Sequence, residues 1–310
     1  MVTSHSTLLL RRLFPFFIVC ACGLLSVGLR ERSHTCVLVR VKNENDVVVD
    51  FVEYHGRLFG YNNIYVVDDR STDGTGALLQ ALRSTKGINV AQSETDYRGK
   101  GAELTALLVR QARNCDLIIP LDIDEFIVLL DDSKFPSRLL SSQDLIAYLS
   151  RLRVKRNKAY RLQLVQPAMG VRNATQSFGV LVTTGFWEMG KAMFHRRSFR
   201  TLPNLDMGNH LPGVDKVECR VALVHRNFRS EQQLRKKVMA NWIGLGYEFP
   251  ANIDELRAKN VIEGAQYKPL MEGVLLGSSL MLSSLDEFGH IPIDMSLFWT
   301  DMRKLQSGTG

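Results

Sequence analysis

Cysteine is scarce in this chain, with five in 310 residues, at positions 20, 22, 36, 115 and 219. Cys20 and Cys22 lie in an apolar segment and the other three stand far apart, which excludes a CxxC zinc signature and a dense disulfide framework. Free buried thiols are the favoured reading for Cys36, Cys115 and Cys219, with one disulfide among them the alternative. The basic stretches 151–158, 196–200 and 235–237 are short and scattered and hold a single aromatic, Phe199, so the net charge of +7 does not describe a nucleic-acid surface. A small anion such as a nucleotide diphosphate suits short, scattered basic groups better. No internal repeat and no low-complexity tract occurs. Apolar residues at 45% and charged residues at 23% are ordinary for a folded globular chain, long enough for one large α/β domain or two small ones.

Uncharged apolar runs are few. Residues 13–29 form one, after Arg11 and Arg12, at the short end of what spans a bilayer. It reads as an uncleaved transmembrane signal anchor in preference to a cleaved signal peptide, because no clean small-x-small cleavage site precedes Arg30. This gives an N-terminal tail 1–12, an anchor 13–29 and a short stem 30–35, hence a single-pass type II membrane protein with the Golgi as its compartment. Arg30 and Arg32 follow the run, so the charge rule adds little about orientation. Asn173-Ala-Thr175 is the only Asn-x-Ser/Thr sequon, and Asn173 is the candidate glycosylation site of a lumenal domain.

The other long apolar run, 116–130, is broken by Asp122, Asp124 and Glu125. A buried carboxylate needs a partner. Acids two apart on an extended chain face one side and can share a divalent cation. Upstream, residues 36–42, 64–67, 88–90 and 117–121 read as strands, and 47–59, 76–84 and 100–114 as helices, the first capped by Asn45 or Asp46. Strands alternating with helices imply a parallel sheet, and ligands of such sheets sit beyond the carboxyl ends of the strands. The polar clusters 42–46, 68–75 and 122–125 all fall at such ends and are expected to converge on one crevice.

Five motifs in order then resemble the glycosyltransferase family 2-like enzymes of the GT-A fold. They are Val41-Lys-Asn-Glu44, Val67-Asp-Asp-Arg-Ser-Thr-Asp-Gly-Thr75, Leu121-Asp-Ile-Asp-Glu-Phe126, Gly208-Asn-His210 and the segment Val224 to Lys237. The resemblance is to the branch with an Asp-x-Asp-Glu-Phe metal motif, similar also to family 92, and it covers about residues 36 to 240. It implies an α/β, GT-A-like fold: a Rossmann-related, mostly parallel central sheet flanked by helices, with a smaller acceptor-side region. The domain is expected over 36–272, followed by a C-terminal segment 273–310. The implied activity is metal-dependent transfer of a sugar, by inversion, from a UDP- or GDP-sugar to a glycan, glycoprotein or glycolipid, with Mn²⁺ or Mg²⁺ holding the diphosphate.

Carried over by position, the resemblance puts Lys42, Asn43 and Glu44 beside the nucleotide, Asp68 on the base and Asp69 next to it, where relatives often have Asn. Asp122 and Asp124 match the metal motif, His210 or His225 supplies a further ligand or a diphosphate contact, and Arg98 and Lys100 meet phosphate. The proton acceptor falls to Glu188 or Asp206, with Asp215 a rival, since the Glu-Asp pair of many relatives is missing. Ser71, Thr72 and Asp73 also suit a plain Asx turn. Trp187 and Trp242 read as packing residues. The basic helix 230–242, with Ser230 as N-cap and Gln233 as its capping-box partner, reads as a solvated face. A non-catalytic nucleotide- or glycan-binding protein of the same fold is the alternative. A nucleotidylyltransferase would carry a Gly-rich phosphate loop near the first strand, and none is present.

Overall fold

The computed structural model describes residues 34–310 except 112–113, 132, 134–136, 168–177, 183–190, 227–228, 263–264, 266, 278–289 and 308–310. The expected anchor 13–29, the sequon at Asn173, Trp187 and Glu188 lie outside the described residues. No helix among the described residues is long and apolar enough to cross a membrane.

The first half builds a parallel sheet from β1 (Thr35–Val41), β2 (Ile64–Asp68), β3 (Asn89–Gln92) and β4 (Leu117–Leu121), in the order β3-β2-β1-β4. The strands β1, β2 and β4 are mainly apolar and buried along their whole length, as the inner strands of a covered parallel sheet must be. Crossovers run through α1 (Val48–Phe59), α2 (Thr75–Lys86) and α3 (Lys100–Gln111). Gly87 takes φ +80° at the C-cap, which extends α2 beyond the expected 76–84 and delays the third strand to Asn89. Neither Asn45 nor Asp46 caps α1. Val47 precedes the helix without a side-chain cap, Asn45 bonds the Asp73 carboxylate and carbonyl, and Asp46 bonds Arg229.

The apolar run 116–130 is two strands. After β4 the chain turns at Asp122-Ile123-Asp124 and continues as β5 (Glu125–Asp131), so the acids occupy a corner between strands. There follow β6 (Ser137–Leu139), α4 (Ser142–Leu149), β7 (Lys158–Pro167), β8 (Phe178–Val182), β9 (Ala192–His195) and β10 (Asp215–His225). Next come α5 (Glu231–Gly244), α6 (Ile253–Ala258), α7 (Tyr267–Leu276), β11 (His290–Asp294) and α8 (Ser296–Ser307). The antiparallel β9 joins β4 to β7. Pairings of β10 with β5, β5 with β6, β6 with β11, β11 with β8, β8 with β7 and β7 with β10 close a circuit of six strands. The fold class is α/β, as expected, with helices flanking a central sheet whose first half is parallel.

Residues beyond 273 contribute to the core. The expected boundary falls inside α7, and Phe298 and Met302 of α8 are buried, with Phe298 edge-on to Tyr54 and Phe126. At its own start α5 forms half of the expected capping box: Ser230 accepts from the Gln233 N–H, while Gln233 Oε1 is buried without a bond.

The cysteines depart from the favoured reading as free thiols. Cys36 and Cys115 form a disulfide, 79 residues apart in sequence with Cα atoms 5.7 Å apart. Thr35 and Cys36 of β1 pair in register with Leu117 and Ile118 of β4, which brings the residue just before β4 alongside β1. Sheet pairing supplies that proximity, and sequence spacing hides it. Cys219 is a buried free thiol, pushed up to about 12 by its burial.

Candidate active site

The register Val41↔Asp68↔Gln92 brings the carboxyl ends of β1, β2 and β3 level, and β4 ends at Leu121 beside them. The loops after β1 and β2 are laced together there. Asn43, at φ +56°, donates its N–H to Ser71 Oγ (3.0 Å) and accepts from the Thr72 N–H (2.7 Å). The Glu44 N–H donates to Thr75 Oγ1 (2.9 Å). Asp68 is buried, and its Oδ1 accepts the Ser71 N–H three residues on (3.1 Å), while Asp73 makes the expected Asx turn by accepting the Thr75 N–H (3.0 Å). Gly76 leaves Asp68 room, since a Cβ there would stand 3.0 Å from Asp68 Oδ2.

Asp69 turns away into an ion cluster. Its carboxylate meets Arg40 (3.0 Å), Arg70 (3.1 Å) and Lys42 (3.5 Å), and Arg40 also pairs with Glu103 (3.1 Å). Arg40 and Asp69 are both buried, so this pair holds the loop after β2 against α3. Arg98 is likewise engaged, donating to the Leu245 carbonyl (2.8 Å) at the end of α5.

The corner after β4 holds two differently neutralised acids. Asp122 accepts from Lys100 (2.6 Å), Lys191 (2.7 Å) and Asn209 Nδ2 (2.8 Å). Burial would raise its carboxyl, but Lys100 and then Lys191 overcome that and hold it far below the usual carboxylate range. Lys191 is shared with Glu125 (3.0 Å), which in turn accepts the Asp122 N–H (2.7 Å). Burial would lower the Lys191 ammonium, and these two carboxylates raise it instead.

Asp124 is fully buried. Its Oδ2 bonds Lys237 from α5, with Arg229 3.8 Å away, and its Oδ1 has no hydrogen-bond donor although His225 Nε2 lies 3.5 Å from it. Burial would raise this carboxyl too, and Lys237 and His225 hold it well below the usual range. Arg229 and Lys237 also reach Glu44, Lys237 at 3.8 Å, so the loop after β1 and the corner after β4 share two cations. Burial is the larger influence on Glu44, whose carboxyl is raised in spite of both cations.

The expected metal set Asp122, Asp124, His210 and His225 is therefore only partly brought together. Asp124 and His225 face each other. Asp122 is occupied by lysines and Asn209, and His210 pairs with Asp206 (3.0 Å). No three His, Cys, Asp or Glu among the described residues converge as a ready-made ligand cage. The buried, donorless Asp124 Oδ1 opposite an imidazole nitrogen does fit a cation, since hard divalent ions commonly take one or two protein ligands and complete their shell from phosphate.

Sequence reasoning missed Lys191, Arg229, Lys237 and Asn209. The signal for Lys237 was present: Leu234, Val238 and Trp242 repeat at helical spacing and are buried, which sets Lys237 at the edge of the buried stripe of α5 instead of on a solvated face. Asn209 stood in the Gly208-Asn-His210 motif without a role read for it, and Lys191 carried no signal, because the pairing of β9 with β4 and a left-handed turn at φ +60° bring them to Asp122.

No family model and no curated protein matches this chain. Among solved structures it is similar to S. aureus TarS, at 12% identity and TM-score 0.35 over 81% of this chain, and it spans 44% of the length of that TarS chain. The structure of TarS 1–349 in complex with UDP is similar at 13% identity and TM-score 0.37, over 80% of this chain and 72% of that one. Glucosyl-3-phosphoglycerate synthase from Mycobacterium tuberculosis, in complex with Mn²⁺, UDP-glucose and phosphoglyceric acid, is similar at 17% identity and TM-score 0.37, over 70% and 81% of the two chains.

Proposed function

We propose that this chain is a glycosyltransferase that moves a sugar from a nucleotide-sugar to a hydroxyl acceptor. One observation carries the reading: the loops after β1, β2 and β4 meet at one edge of the sheet, and there a buried carboxylate oxygen of Asp124 lacks a donor opposite His225. The site holds five carboxylates (Glu44, Asp46, Asp122, Asp124, Glu125) and four fixed cations (Lys100, Lys191, Arg229, Lys237). A diphosphate entering such a nearly balanced site needs further positive charge with it.

Asp124 and His225 would hold a divalent cation, Mn²⁺ or Mg²⁺, whose chemistry is to neutralise the charge that develops on the departing diphosphate. Lys100 and Lys191, fixed by Asp122, offer ammonium groups to the same anion. Asp68, Lys42 and Asn43 border the base and ribose side, with Asp68 held by the Ser71 N–H. A UDP- or GDP-sugar as donor, a glycan, glycoprotein or glycolipid as acceptor, and inversion at the sugar carbon belong to this reading. So does a type II membrane protein of the Golgi, anchored by 13–29. The Cys36–Cys115 disulfide supports an oxidising compartment of that kind.

The test is a thermal-shift and calorimetric screen of nucleotide-sugars with and without Mn²⁺ on the full chain. A donor that binds only the folded protein at a hundred times its dissociation constant adds about 2.7 kcal/mol. Metal-dependent binding with turnover is expected, both lost in Asp124→Ala, and full activity in that variant would sink the assignment. Binding without turnover across the donor panel would instead identify a non-catalytic binding protein.

A further inference from the structure

The loop that brings Asn209 to Asp122 carries a second pair of groups. Asp206 Oδ1 accepts the N–H groups of Gly208 (2.9 Å) and His210 (2.8 Å), and Oδ2 lies 3.0 Å from His210 Nδ1. Partial burial would raise the Asp206 carboxyl, but the bonds from His210 and Gly208 hold it below its ordinary value. An ionised carboxylate there selects the tautomer with the proton on Nδ1, which leaves the lone pair on Nε2. Among the described residues nothing bonds Nε2, and 26% of the side chain is exposed.

The loop fixes this ring closely. Asn209 is buried and donates to the Leu121 carbonyl (3.0 Å) as well as to Asp122. The Leu205 N–H donates to Thr105 Oγ1 (2.9 Å), and α3 touches the loop at Gly101, where a Cβ would stand 2.4 Å from the Leu205 carbonyl oxygen. Gly208 makes room for the imidazole itself, since a Cβ there would stand 2.3 Å from His210 Cε1. The imidazole thus belongs to the residue next to Asn209, whose side chain bonds Asp122 Oδ1, the oxygen that also accepts from Lys100.

We propose that His210 is the catalytic residue that takes the proton of the acceptor hydroxyl, and that Asp206 is its positioning residue. The inference rests on the sugar-transfer reading above. The acceptor O–H passes its proton to Nε2 as its oxygen forms a bond to the anomeric carbon of the donor. The bond from that carbon to the β-phosphate oxygen breaks, and its electron pair leaves on the nucleoside diphosphate. Asp206 stabilises the imidazolium without becoming protonated. Its own oxygens are already committed to three donors, which removes it as the direct base. Asp215 stands exposed at the start of β10, and its carboxylate pairs with Lys158 (3.6 Å).

The experiment compares the full-length wild type with His210→Ala, His210→Gln, Asp206→Asn and Asp206→Glu, measuring melting temperature, donor affinity and transfer rate for UDP- and GDP-sugars. For His210→Ala, donor affinity is expected within about twofold of wild type and the rate about 10²–10⁴-fold lower, partly restored by imidazole in solution. His210→Gln keeps ring-sized volume and serves if the alanine variant folds poorly. Asp206→Asn should lower kcat with the acceptor KM unchanged, and Asp206→Glu should recover part of it. Undiminished transfer by a folded His210 variant, or no recovery with imidazole, overturns the base. Absence of both donor binding and turnover in the wild type overturns the sugar-transfer reading and the base with it.

Discussion

Replacing Lys237 by methionine deletes a charge while keeping the length and apolar stem of the side chain. In the wild type that ammonium bonds the fully buried Asp124 and stands 3.8 Å from Glu44. Removing one member of a buried pair costs about 3–5 kcal/mol, because the remaining charge is left in a poorly solvating interior. The lower end applies here. Lys237 keeps 24% of its side chain exposed, and Arg229 and His225 remain within 3.8 Å and 3.5 Å of Asp124. For a folded unit of this size, about 3 kcal/mol lowers the melting temperature by roughly 5 °C. The decisive comparison is thermal melting in EDTA against saturating Mn²⁺. In the variant a dication at Asp124 and His225 would supply the positive charge that Lys237 no longer gives this carboxylate, and at a hundred times its dissociation constant it returns about 2.7 kcal/mol, most of the loss. The wild type should gain less, because the ammonium competes. Equal melting of the two proteins in EDTA, or an equal Mn²⁺ gain, would refute the argument that Lys237 is the resting counter-ion of the site.

Three other outcomes are expected. His55 is fully buried, accepts from the Ile127 N–H at Nε2 and donates from Nδ1 to the Phe51 carbonyl, and burial lowers it to about 3. A depressed value means its stabilisation is complete above the unfolded value of about 6.5 and is lost as pH falls toward 3. Urea titrations should show about 2 kcal/mol lost between pH 7.5 and pH 5, ahead of the carboxylate losses below about pH 4, and a flat profile there would count against a neutral His55. Gly101→Ala should destabilise by about 1–3 kcal/mol and lower transfer, since the new Cβ meets backbone at Leu205 and must displace the loop of Asp206 and His210; a variant with wild-type melting and rate would contradict that close approach. Reducing the Cys36–Cys115 disulfide frees a 79-residue separation worth up to about 4.5 kcal/mol by chain entropy, visible as a lower melting temperature in dithiothreitol and absent in Cys36→Ser.

Much of the fold and part of the site was legible in the sequence for stated reasons. Apolar runs such as Cys36–Val39 and Leu117–Leu121 can be satisfied only in a covered sheet, and the helical periods between them impose parallel crossovers. Polar clusters that interrupt such runs must then lie at strand ends, which is why Asn43, Glu44, Asp68, Asp122 and Asp124 were identifiable before any contact was known. The partners were not identifiable. Lys191 reaches Asp122 across 69 residues and Lys237 reaches Asp124 across 113, and no local periodicity records such distances.

By itself, then, the sequence determined where the carboxylates stand along the strands, because burial and alternation act locally. Tertiary structure alone decided their state. It gave Asp122 to two lysines and Asn209, left one oxygen of Asp124 without a donor opposite His225, committed Asp69 to Arg40, turned Asp206 onto His210 and joined Cys36 to Cys115. The physical reason is that charge neutralisation and covalent pairing depend on separation in space, and strand pairing and loop turns set that separation between residues far apart in the chain.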